Sequence, residues 1–229
     1  MKTTLYDWFT TSGRQGKSGR PLVTLTYAQS LDGSITHRRD EPGLAISGPE
    51  TKRMTHWLRT RHDAILVGVG TLLADNPKLT VTHAQGQAPR PVILDSRLQT
   101  PPTARVFAHP QPPLIACLES EASGDRARAL LAAGADILPL PPNAAGHLHL
   151  PALLGSLYQR GIRSLMVEGG AGVITSFLRE GLADVVILTI APFFVGGVNA
   201  LTAPLPAMPR LKNVGMQTFG EDVVVWGEL

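Results

Sequence analysis

Hydrophobic residues in this 229-residue chain fall into short runs separated by turn-forming segments. PLVTLTYAQSLDG opens the series: Leu22, Val23 and Leu25 make a β-rich run that Asp32-Gly33 ends with a turn. AILVGVG (64–70) is apolar throughout and bounded by glycine, the pattern of a strand buried on both faces. PVILD (91–95) and PLIACL (113–118) repeat that pattern, and DILPL adds a shorter strand. SLMVE and DVVILTIAP supply two more, and DVVVWGEL a last one, which QTFGED before it turns into a hairpin. The intervening segments change period. ISGPETKRMTHWLRTRH predicts a helix with Ser47 as N-cap, Pro49 in the first turn and Glu50 three residues after the cap. Met54, Trp57 and Leu58 then share one helical face. ARALLAAGA and LPALLGSLYQRG predict two further helices, the second ended by Gly161, and a helical pattern restarts at Val173.

Strands alternating with helices predict an α/β fold, with a mostly parallel central sheet flanked by helices on both faces. The final strands lack intervening helices, so the C-terminal strands are expected to be antiparallel. Residues 1–20 are polar and glycine-bearing and read as a flexible leader, with 21–229 as one domain without internal repeat or linker. Hydrophobic content of 43% supports an ordinary core. The pI is about 9.3, but the formal net charge is only +3 and the basic residues are scattered. That balance points to a local anionic ligand rather than nucleic acid. The longest apolar run, around Val185 to Val195, contains a proline and is too short to span a bilayer. MKTTLYDWFTT lacks the apolar core and cleavage site of a signal peptide, so a cytoplasmic protein is expected. Cys117 is the single cysteine, which excludes an intramolecular disulfide and a multi-cysteine zinc site, and no metal is expected. HExxH, GxSxG and GxxxxGKS do not occur.

Three strand ends carry candidate chemistry. VEGGAGVITS places Glu168 at the end of a strand, followed by Gly170-x-Gly172-x-x-Thr175 opening a helix. The glycines suit a phosphate held on a helix N-terminus, although glycine turns before helices are often merely tight turns. The next strand ends TIAPFF, without the acid that holds the ribose of NAD, so either the cofactor's ribose carries a phosphate or the fold is not a true Rossmann fold. VGVGTLLADNPKLTV places Thr71 and Asp75 just past a second strand, where open α/β sheets bind ligands. Asp75 also reads as an ordinary turn aspartate of Asp75-Asn76-Pro77. At a third strand end, Ser96 offers a hydroxyl and Arg97 a forked donor for phosphate, against the plain reading of a surface turn. Arg59 and Arg61 complement a helix C-terminus with or without a ligand. His56 and His62 read as surface helix residues.

TLTYAQSLDGSI, ISGPETKRMTHWLRTRHDAILVGVGTLLADNPKLTV, RPVILDSRLQTPP and LMVEGGAGVITSFLREGLADVVILTIAPFFVGG, in this order from about Pro21 to the C-terminus, resemble the reductase domain of riboflavin biosynthesis. The pairing of LADNPxLTV with VEGGAGV is far more specific than either motif alone. The resemblance implies a dihydrofolate-reductase-like fold and NADPH-dependent reduction of a ribosylamino-pyrimidine 5′-phosphate to its ribitylamino form, by a homodimer. It implies cofactor contacts at Ala28, Thr71, Asp75, Ser96 and the turn Gly170, Ala171, Gly172, Val173, Ile174, Thr175 and Ser176. It implies sugar-phosphate contacts at Arg59, Leu79 and Glu168, with Asp75 and Glu168 as candidate catalytic carboxylates beside water. Fused bacterial members often carry Lys at the position of Thr26 and Arg at that of Thr82, a loss that Arg90 is expected to offset. The zinc-deaminase signature of those members does not occur, which predicts a stand-alone reductase. Another pteridine or dihydrofolate-type reductase, and a non-catalytic nucleotide-binding regulator, are the alternatives.

Overall fold

Burial on both faces decides how the apolar runs assemble. The computed structural model describes residues 3–11, 13, 16–38 and 43–229. In chain order it contains α1 (Leu5–Thr11), β1 (Leu22–Ser30), β2 (Ser34–Thr36), α2 (Pro49–Arg59), β3 (Ala64–Gly68), α3 (Val69–Asp75), β4 (Arg90–Leu94) and β5 (Leu114–Leu118). There follow α4 (Asp125–Ala132), β6 (Asp136–Leu140), α5 (Leu150–Gln159), β7 (Ser164–Gly169), α6 (Ala171–Arg179), β8 (Val185–Ala191), β9 (Val198–Asn199), β10 (Lys212–Phe219) and β11 (Asp222–Glu228).

A nine-stranded sheet has the order β10-β11-β8-β1-β7-β3-β4-β5-β6. Strands β8 through β6 in that row are parallel, whereas β11 pairs antiparallel with β8 and with β10. The antiparallel end follows from chemistry: Gly220 at φ +62 closes a tight hairpin, which no parallel pair can use. All five residues of β3 are buried, because its alternate side chains enter different cores. Ala64 and Leu66 pack with Leu153, Leu157 and Phe177 of α5 and α6. Ile65 and Val67 pack on the opposite face with Leu72 of α3 and Leu130 of α4. Farther along that face, Met166, Ile187 and Trp226 meet Met54 and Leu58 of α2.

The expected flexible leader is corrected at Leu5–Thr11, which form α1. Leu5 is completely buried, and Tyr6 and Phe9 approach Trp57 edge-on at 4.6 and 5.9 Å. Seven residues are too few to display a period, so the aromatics read as scattered when they in fact cover the third core. Residues 1, 2, 12, 14 and 15 of that expected leader lie outside the described residues. The cap of α2 also differs. Gly48, not Ser47, is the N-cap, and its N–H donates to Asp222 Oδ2 at 2.8 Å while Thr51 Oγ1 donates to the same oxygen at 2.6 Å. A carboxylate from the distant hairpin thus does what a local serine was expected to do.

Candidate active site

β1, β7, β3 and β4 are consecutive parallel neighbours, so their carboxyl ends meet along one sheet edge. The chain moves outward from β3 to β6 and returns to insert β7 between β1 and β3, which opens a crevice at that edge. A pocket of about 660 Å³ occupies it. Tyr27 and Ala28 of β1, Leu94 of β4 and Glu168 of β7 line it, together with the starts of α3 and α6. Ile35 and Thr36 of β2 and Val198 of β9 wall the outer side. Asp32 ties that wall together: its carboxylate accepts from the hydroxyls of Ser30 and Ser34 and from the amides of Val195 and Gly196. The Ser30 hydroxyl, then the Val195 amide and the other donors, hold the Asp32 carboxyl far below the usual carboxylate range.

The two helix starts lock onto each other. An added Cβ at Gly68 would stand 2.9 Å from Val173 Cγ2, and one at Gly170 would stand 2.9 Å from Thr71 Oγ1. At Gly172, by contrast, an added Cβ meets nothing within 4 Å among the described residues. Among the described residues no side chain caps α6, and its first residues, Ala171 to Val173, line the pocket with amides that have no helical acceptor. Free amides, a positive helix end and an open glycine surface form a donor set for a diphosphate.

Glu168 faces this cradle but does not stand alone. Arg59 Nε donates to Glu168 Oε1 and Nη2 to Oε2, both at 2.7 Å, and Nη1 donates to Thr80 O at 2.8 Å. Both side chains are mostly buried. Burial works against the Arg59 charge, and the Glu168 carboxylate outweighs it, so the guanidinium pKa lies above its ordinary value. The forked pairing fixes both planes and keeps Glu168 pointed at the pocket. Asp75, at the end of α3, is exposed and lines the same pocket, with Oδ1 accepting the Gly43 amide at 2.5 Å.

The structure therefore brings Ala28, Thr71, Asp75, Glu168 and the stretch from Gly170 to Ile174 together around one cavity. Thr175 and Ser176 do not line it. Thr175 is buried, donating to Ala171 O and accepting from Thr202 N, so it braces the helix start from behind. Ser96 and Arg97 sit just beyond Leu94 at the same edge, outside the cavity lining. Leu79 is buried in the apolar cluster under α3, with φ +56, and Arg59 stands behind Glu168. Arg90 is corrected: it lies at the amino end of β4, where it pairs with Asp136, and so cannot act at the carboxyl edge.

His62 is corrected too. It is buried between Leu58 O, at 2.8 Å from Nδ1, and Thr24 Oγ1, at 2.9 Å from Nε2, and burial brings its pKa down to about 4. His56 is half-buried; its Nδ1 accepts the Thr82 amide at 3.1 Å, and His83 meets it edge-on at 4.8 Å. Burial first, then the charges of Arg59 and His83, bring the pKa of His56 down to about 4. Tyr27, Ile35, Thr36, Arg38, Gly70 and Val198 are lining residues that sequence reasoning missed. The β2–β9 pairing that delivers several of them spans three residues against two, too short for alternation to show.

The family model for the RibD C-terminal domain matches residues 21–225. The chain belongs to that family. A curated family relative, the 2,5-diamino-6-ribosylamino-4(3H)-pyrimidinone 5′-phosphate reductase of Methanothermobacter thermautotrophicus, is 39% identical over 216 residues, covering 90% of this chain and 97% of the relative. The solved structure of riboflavin biosynthesis reductase Rib7 from Saccharomyces cerevisiae superposes with a TM-score of 0.79 at 32% identity, covering 98% of this chain and 97% of the other. Dihydrofolate reductase from Enterococcus faecalis superposes with a TM-score of 0.50 at 12% identity, over 90% and 96% of the two chains, a likeness of fold alone. The fold is thus dihydrofolate-reductase-like, and a reductase family on this fold implies a nicotinamide cofactor.

Proposed function

We propose that this protein reduces the ribosylamino side chain of 2,5-diamino-6-ribosylamino-4(3H)-pyrimidinone 5′-phosphate to a ribitylamino chain, with NADPH as reductant. The observation that carries the proposal is a carboxylate held rigidly beside a diphosphate cradle: Glu168, locked by Arg59, faces the same cavity as the open start of α6. An anionic cofactor and a polyhydroxyl, amine-bearing substrate need these two opposite surfaces. The diamino compound, rather than the deaminated uracil, follows the activity named for the archaeal relative.

The residues present fit the cofactor. The amides at the start of α6 and the hydroxyl of Thr71 would hold its diphosphate, and Ala28 would lie beside its nicotinamide. When bound, the cofactor supplies a hydride to C1 of the sugar. Glu168 binds ribose hydroxyls or the substrate amine and favours the positive charge that develops when the closed aminoriboside opens to an imine. Asp75 or a water supplies the proton economy of ring opening and of the amine. Arg59 acts on the sugar-phosphate side and as the clamp on Glu168. Leu79 shapes the loop that carries Thr80, and Ser96 and Arg97 serve the cofactor's adenosine end. Cytoplasmic location and a homodimer belong to the same proposal; exposed Val214 and Met216 on the edge strand β10 give the dimer an apolar surface to bury.

The test is loss of NADPH absorbance on adding the diamino-pyrimidinone ribosylamino 5′-phosphate. Steady oxidation supports the proposal. Binding of NADPH with no oxidation by this compound or its deaminated analogue would favour a nucleotide-binding regulator.

A further inference from the structure

Past Leu94 the chain makes a tight, well-anchored turn. Asp95 is fully buried, and its Oδ2 accepts from Thr100 N at 2.7 Å and from Thr100 Oγ1 at 2.8 Å. Leu98 N donates to Asp95 O, and Leu98 is buried in the left-handed region at φ +52. The inner side of the turn is thereby fixed to the core, and Arg97 is left exposed on the outer side. From the loop after the neighbouring strand, Arg126 in the first turn of α4 reaches across and donates from Nη1 to Arg97 O at 3.1 Å. The acid beside it, Asp125, pairs with Arg128 instead. Among the described residues, neither Arg97 nor Arg126 forms an ion pair.

A guanidinium anchored on the backbone carbonyl of a second, exposed arginine, neither of them ion-paired among the described residues, makes a receptor for a dianion. A phosphomonoester supplies two charges and three acceptor oxygens. The position suits one group in particular. Leu94 lines the pocket beside Gly68 in the sheet register, and Val69 and Gly70 line the same end. Among the described residues an added Cβ at Gly70 would meet nothing within 4 Å, so this end is open, as an adenine ring requires.

We propose that Arg126, together with Arg97, receives the 2′-phosphate on the cofactor's adenosine, and that Arg126 is a residue that makes the enzyme select NADPH over NADH. This inference rests on the nicotinamide-cofactor reading above and adds Arg126 to it. Arg126 is exposed, so its truncation leaves the core untouched.

The test is calorimetric binding of adenosine 2′,5′-bisphosphate and of AMP to the whole chain and to Arg126→Ala, Arg126→Lys and Arg97→Ala, with thermal midpoints as folding controls. The wild-type protein is expected to favour the bisphosphate by about tenfold or more. Arg126→Ala should remove most of that preference while leaving AMP affinity unchanged, and Arg126→Lys should restore part of it. A wild-type preference retained in Arg126→Ala, or equal loss of both ligands, would overturn the assignment. Preference for the bisphosphate in a protein that oxidises no NADPH with the pyrimidine would sink the reductase reading and leave the arginine pair standing. Equal turnover with NADH and NADPH would do the reverse.

Discussion

Neutralising Glu168 tests the clamp at the centre of the site. Glu168 and Arg59 share two bonds of 2.7 Å, and the side chains keep only 15% (Arg59) and 16% (Glu168) exposure. Exposed pairs contribute roughly 0–1 kcal/mol, whereas removing one partner of a fully buried pair costs roughly 3–5 kcal/mol. This pair lies between those limits, so a coupling on the order of 2 kcal/mol is expected. Glu168→Gln keeps one acceptor for Arg59, and Arg59 keeps Thr80 O, so that variant alone should lose about 1–2 kcal/mol. For a chain of this size each kcal/mol moves the melting midpoint by roughly 2–4 °C, giving a drop of about 2–8 °C. The assay is a thermal-melt cycle of wild type, Arg59→Met, Glu168→Gln and the double variant, with NADPH oxidation followed in parallel. Turnover should fall far more than stability in Glu168→Gln, because the charge faces the substrate. Single-variant losses that add to within about 0.5 kcal/mol in the double variant would show that the pair is not a clamp.

Other consequences can be checked separately. Gly172→Ala puts a methyl where no atom of the described residues lies within 4 Å, so the midpoint should not fall while NADPH affinity drops by about tenfold; unchanged affinity would remove α6 as the diphosphate seat. Asp75→Asn keeps the bond to Gly43 N and should fold normally, with turnover reduced on the order of a hundredfold if Asp75 handles a proton; wild-type turnover would take it out of the mechanism. His62 has a folded pKa of about 4, below its ordinary 6.5, so the unfolded chain binds the extra proton between those values. Its stabilising effect is complete above pH 6.5 and is lost as pH falls toward 4, up to on the order of 3 kcal/mol, and His56 adds in the same direction. Urea midpoints measured across that window should therefore fall with acid in wild type and fall less in His62→Gln.

The parallel strands were legible because burial on both faces writes itself as unbroken apolar runs, as at AILVG and PVILD. Glu168 and the glycine turn were legible because each stands at the end of such a run. What stayed hidden depends on distant partners. Nothing near Arg59 in the chain announces that its fork closes on a carboxylate 109 residues away. The cap of α2 comes from Asp222, and His62 looks like a polar helix-end residue until Thr24 of β1 supplies its second partner. The helix α3 was hidden by its own glycine, since Gly70 within VGTLLAD weakens the periodic pattern.

The most direct measurement of the central claim uses NADPH carrying deuterium at both C4 positions of the nicotinamide and the diamino-pyrimidinone ribosylamino 5′-phosphate, with the product read by mass spectrometry. The account predicts a ribitylamino product carrying one deuterium at the former C1 of the sugar, formed in step with NADPH consumed. NADPH consumption with no deuterium in the pyrimidine, or no consumption by a folded, cofactor-binding protein, would contradict it.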